Sequence, residues 1–118
     1  MSNPIHINLN TISKNMLGNE QMMKNFVGMY LQHCHTDFEK LREAVLAENH
    51  EEISAKAHHI KPTMAYIGAS ALGQQFQDLE NAGEEKDAIT SITEKFHLLD
   101  SDFAEMLEEL KSLYDSLS

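Results

Sequence analysis

The chain has 118 residues, 42% of them hydrophobic, with five Phe, three Tyr and no Trp. That is the size of one domain, with enough apolar material to bury a core without covalent staples. Nine Lys and Arg against nineteen Asp and Glu leave a net charge of −10, which argues against nucleic acid or an anionic membrane as partner, since phosphate contacts need a basic face. The single cysteine, Cys34, precludes an internal disulfide and suggests a reducing compartment. Nowhere do eighteen apolar residues run together, and Met1-Ser-Asn-Pro-Ile-His lacks the basic start and apolar run of a signal peptide. A cytoplasmic location is expected.

Residues 1–8 read as an extended arm, because Pro4 discourages early helix. Leu9, Ile12, Met16 and Leu17 predict a short amphipathic helix over 9–17, capped near Asn8 or Asn10 and stopped by Gly18-Asn19. Asn19 and Glu20 open a long helix over 20–48, whose apolar face is Met23, Val27, Tyr30, Cys34, Phe38, Leu41 and Val45. Gly28 lies inside it and is read as tolerated, at a cost of about 1 kcal/mol relative to Ala.

After the polar break Glu48-Asn49-His50, the residues Ile53, Ala57, Ile60, Met64 and Ile67 predict a helix over 51–67. Pro62 inside it removes the hydrogen bond to the His58 carbonyl. The apolar period continues past the proline, which favours one kinked helix over two. Leu72, Phe76 and Leu79 predict a helix over 70–82, with Gly83 suited to the left-handed position after its end. The last helix, 86–115, has the cleanest pattern: Ile89, Ile92, Phe96, Leu99, Phe103, Met106, Leu110 and Leu113 follow steps of three and four. No strand-like alternation or internal repeat occurs. The pattern implies an all-α domain spanning 1–118, an antiparallel up-and-down four-helix bundle with an additional short N-terminal helix.

The segment around His58-His59-Ile60-Lys61-Pro62 holds the residues most suited to chemistry. At about 100° per residue, His58 falls away from the apolar stripe and faces solvent. Pro62, Ala65 and, if the helix runs on, Ala69 lie in line with it, so the surface around this imidazole is bare. Lys61, at i+3, puts an ammonium on the same side. His59 points about a quarter turn away, further from Lys61 and from the small residues. Most surface histidines are merely solvated, and small residues often serve only helix packing; here the combination gives an exposed nucleophile, a nearby cation and room for a large partner.

The motif His58-x-Ile60-Lys61-Pro62, with Ala65 seven and Gly68 ten positions after the histidine, resembles that of the histidine-containing phosphotransfer (HPt) domain family, usually written His-x-Leu-Lys-Gly. The order of elements from Asn10 to Leu113 is similar too, and Ala71-Leu72 and Leu79-Glu80 sit where family members carry such residues. Pro62 in place of the commoner glycine is a departure. The resemblance implies that His58 accepts a phosphoryl group on Nε2 from a receiver-domain aspartyl phosphate and passes it to another receiver aspartate. It implies that Lys61 stabilises charge on the phosphoryl oxygens, and that Pro62, Ala65, Gly68 and Ala69 form a small-residue surface admitting the receiver. Response-regulator receiver domains are the implied partners, with a hybrid sensor kinase as a further candidate, and the chain is expected to be a monomer. No cofactor or metal of its own is implied; Mg2+ is expected only from the receiver.

An exposed imidazole, with an ordinary pKa of about 6.5, is mostly neutral near pH 7 and able to attack phosphorus. The chain shows no means of making a phosphoryl donor. Gly68-Ala-Ser-Ala-Leu-Gly73 has phosphate-loop spacing but continues Gln-Gln, and no strand precedes it. A phosphocarrier without autonomous kinase activity is therefore expected. One alternative is a receiver-binding module without phosphotransfer. Another is a metal-binding bundle, invited by seven histidines. Against it, His33-Cys34-His35 point in separate directions on a helix, and only one Glu-x-x-His pair, Glu94 with His97, is present where a di-iron bundle needs two. Lys56, Gln74, Gln75 and Gln77 are candidates to line the site, and Met16, Met22 and Met29 are possible soft contacts for a partner, though each reads more naturally as core.

Overall fold

The computed structural model describes residues 5–117, as five helices: α1 (Leu9–Asn15), α2 (Glu20–Leu46), α3 (His50–Tyr66), α4 (Ser70–Glu84) and α5 (Ile89–Ser116). Asparagine starts three of them. Asn8, Asn19 and Asn49 each have extended backbone, and each side chain accepts the N–H three residues on, from Thr11, Met22 and Glu52. The helix ends differ from those expected of the sequence. Helix α1 stops at Asn15, where Leu17 and Gly18 turn left-handed. Helix α2 stops at Leu46 through a left-handed Glu48, whose successor, Asn49, donates its N–H back to the Ala44 carbonyl at 3.1 Å.

Helix α4 runs two residues beyond the expected 82, and its left-handed residue is Lys86 rather than Gly83. Gly83 is buried within the helix, and its work is close approach. A Cβ there would stand 2.8 Å from the His50 carbonyl oxygen and 2.9 Å from the Ser54 nitrogen, both backbone atoms of α3. Further along, a Cβ on Gly73 would touch Met64 at 3.6 Å. Helices α3 and α4 are thus antiparallel and nearly in backbone contact at one end. At Gly28 a Cβ would meet the Tyr114 ring of α5 at 2.9 Å, a side chain rather than backbone, so the bare position seats that ring against α2. Helix α3 passes through Pro62 as a single α-helix.

The four long helices form the antiparallel bundle, α2 packing on α3 and α5, and α4 on α3 and α5. The core includes the apolar residues of the helical periods, among them Val27, Leu41, Ile53, Met64, Leu72, Leu99, Met106 and Leu110, all at most 1% exposed. Its aromatic centre joins α2, α4 and α5: Phe38 stacks on Phe103 with centroids 4.2 Å apart and on Phe96 at 5.3 Å, with Phe76 edge-on to Phe38 and Phe103. Of the expected arm, residues 1–4 lie outside the described residues. The rest is fastened down. Glu109 of α5 accepts the backbone N–H groups of Ile5, His6 and Ile7 at 2.9–3.2 Å, Ile7 is buried, and the Asn8 N–H reaches the Ile67 carbonyl at 2.9 Å.

Candidate functional site

The close α3–α4 seam carries the residue the sequence favours. His58 projects from α3 with its side chain 65% exposed, and its Nδ1 lies 3.1 Å from Oε2 and 3.2 Å from Oε1 of Glu80 on α4. Among the described residues, Glu80 is the charged residue buried with the core side chains. A carboxylate taken out of water needs donors, and Lys61 supplies another, donating from Nζ to Glu80 Oε1 at 2.9 Å and to Gln77 Oε1 at 2.6 Å. Burial pushes the Glu80 carboxyl up, but hydrogen bonds and charge from Lys61 and His58 outweigh it and hold the group below its ordinary value of 4.5.

Glu80 is therefore ionised at neutral pH and can only accept. A neutral imidazole facing it must keep its proton on Nδ1, which leaves the lone pair on Nε2, on the solvent side of the ring. The carboxylate fixes both tautomer and ring orientation. The arrangement is a nucleophilic nitrogen aimed outward, backed by a negative charge, with a lysine one turn along.

Pro62 and Ala65 are exposed beside this ring as expected. Gly68 and Ala69 are not part of that surface. The helix ends at Tyr66, so the projection that aligned Ala69 with His58 does not extend to it. Gly68 turns left-handed, φ +71°, and a Cβ there would stand 2.5 Å from Asn8 Cβ; it is packed beneath α1. Ala69 is fully buried at the start of α4. His59 faces α2, with Nε2 3.8 Å from Asp37, away from Glu80. Lys56 pairs with Glu52 at 3.6 Å. Gln74 bonds Asp78 and Gln75 bonds Asp102, so of the three glutamines only Gln77 enters the network. His33 and His35 are exposed while Cys34 is buried, so the three side chains do not converge; burial pushes the Cys34 thiol up to about 11.

Glu80 is the residue that motif reading did not place in the site. A signal was available, since Glu80 stands four residues after buried Phe76 and three before buried Gly83. A carboxylate in the phase of an apolar face requires a buried partner.

Residues 25–115 match the model of the Hpt domain family, well over half of the chain. The chain belongs to that family. Comparison with curated proteins and with solved structures finds no match. Hpt domains are histidine phosphotransfer modules of two-component signalling, phosphocarriers that interact with receiver domains. The matched span begins inside α2, so α1 and the fastened segment before it lie outside it. Among the described residues of this Hpt protein, no helix is long and apolar enough to cross a membrane.

Proposed function

We propose that His58 is the phosphoacceptor of a relay, taking a phosphoryl group from the aspartyl phosphate of one receiver domain and yielding it to the aspartate of another. The observation that carries this reading is the Nδ1–Glu80 contact on a ring 65% exposed. In the forward step the Nε2 lone pair attacks phosphorus. The N–P bond forms as the P–O bond of the acyl phosphate breaks, and the receiver carboxylate leaves. Nδ1 keeps its proton throughout, so the phosphorylated ring is cationic and Glu80 balances that charge at about 3.1 Å. A cationic ring is also a good leaving group. When the second carboxylate attacks, the N–P bond breaks and the ring returns to neutral with its proton in place. No proton enters or leaves.

Transfer of this kind depends on alignment and charge neutralisation. Lys61, held in the same network, is the cation for the phosphoryl oxygens. The Mg2+ belongs to the receiver, and the chain itself needs no cofactor and makes no phosphoryl donor. Receivers, and a hybrid kinase that carries one, dock a monomer in the cytoplasm. Pro62 and Ala65 give the access. Exposed Met22, Met29 and Tyr66 supply apolar contact, although the sequence suggested core for the methionines.

The test is incubation with a phosphorylated receiver at short times. Acid-labile, alkali-stable label on this chain, absent from His58→Gln, is expected. Stable receiver binding with no label on the wild-type chain would overturn the carrier role and leave a binding module.

A further inference from the structure

Away from His58, a group of side chains able to ligate a metal joins α5 to the fastened segment before α1. Asp102, Glu105 and Glu109 fall at i, i+3 and i+7, on one stripe of α5. Glu109 is consumed by the backbone N–H groups of residues 5–7, and this grip sets the His6 side chain down beside the other two carboxylates. Its imidazole is 11% exposed, and Nε2 is buried with no hydrogen-bond partner among the described residues. That nitrogen lies 3.8 Å from Glu105 Oε1, and one ligand atom from each of His6, Asp102 and Glu105 lies within 4.8 Å of the others. Asp102 is steadied by Gln75, which donates to its Oδ2 at 3.1 Å.

A buried ring nitrogen without a partner is costly, and two carboxylates beside it favour a cation. We propose that His6, Asp102 and Glu105 bind a divalent transition ion of the zinc class, with water completing the coordination. The donor set decides the class: one imidazole nitrogen with two carboxylate oxygens suits zinc, whereas calcium and magnesium prefer all-oxygen sets. Ligands about 2.0–2.2 Å from a tetrahedral ion stand roughly 3.4 Å apart. Glu105, exposed on α5, is free to close the difference. The ion would staple the segment leading into α1 to α5, independently of His58.

Titrating the full chain with zinc chloride alone, read by calorimetry, tests this. One equivalent is expected for the wild type and for His58→Gln, with affinity lowered at least about tenfold in His6→Gln and in Asp102→Asn, the scale reached even by outer-shell changes at metal sites. Nitrogen-15 spectra of the wild-type imidazoles keep the test open if a variant unfolds: zinc should shift the His6 ring first. Absence of zinc uptake by the wild type would overturn the site, as would undiminished binding by folded His6→Gln, or a first shift at His33, His35 or another exposed ring.

Discussion

Two ionic seams tie the bundle together, and they differ in one nitrogen. Between α2 and α5, Arg42 grips Asp100 with two bonds, at 2.8 and 3.0 Å, reaches Glu39 at 3.2 Å, and lies over the Phe38 and Phe96 rings. The fork is filled. Between α3 and α4, Glu80 is gripped from two sides, yet one of its partners is an imidazole, which has a second nitrogen and turns it to solvent. Both seams join helices; only the second leaves reactive capacity over. A partnered charge marks a strut or a site according to what its partner still has to offer.

Glu80→Gln breaks the comparison hardest. The amide can still accept from Nδ1–H, but it cannot balance a cationic phosphorylated ring. Transfer between receivers should slow by on the order of 100-fold, within the range seen when a positioned acid–base partner is removed, while helical content stays put. Rapid-quench transfer assays read this directly, and an unchanged rate would make the α3–α4 seam a strut as well. Gly83→Ala acts on the same seam through distance. Its new methyl would stand 2.8 Å from a backbone oxygen, so the helices must part, at about 1–3 kcal/mol of stability. Denaturant melts measure that cost, and transfer should slow too, since Glu80 lies one turn away on α4.

Asp100→Asn works on the other seam. The pair is about one-third exposed on both sides, so solvent screening limits the loss to about 1 kcal/mol. Urea midpoints should fall while transfer stays at the wild-type rate. A variant here that slowed transfer as much as Glu80→Gln would erase the distinction.

The sequence made these seams unequally visible. The apolar periods of α2 and α5 placed their core faces residue by residue, because a long amphipathic stripe leaves few alternative packings. His58 and Lys61 were visible because three residues apart on a helix means side by side. What hid were properties of pairs of helices. Gly83 in isolation looks like a cap, and only the α3 backbone 2.8 Å away turns it into a contact residue. Glu48 and Lys86 take left-handed backbone despite a cost of roughly 1–2 kcal/mol for a non-glycine residue, so the true ends of α2 and α4 bear no glycine mark. Ala69 joins the access surface only through a helix projected past its end and Gly68 only through its spacing in the motif, while Met22 and Met29, possible partner contacts that read more naturally as core, stand exposed.

The smallest expected effect is in the acid limb of stability. Glu80 titrates lower in the folded chain than its ordinary 4.5, burial being outweighed by Lys61 and His58. A depressed folded value means that the unfolded chain binds the proton more readily. The seam's contribution is therefore whole above about pH 4.5 and drains away as pH falls through the folded value. Wild type and Glu80→Gln should differ most in stability near neutral pH and converge below pH 4.5, because the amide has no proton to gain. Paired urea melts across pH 3–7 give the two curves. A constant gap between them would mean that Glu80 acts through shape alone, and its charge could then not be what balances a phosphorylated His58.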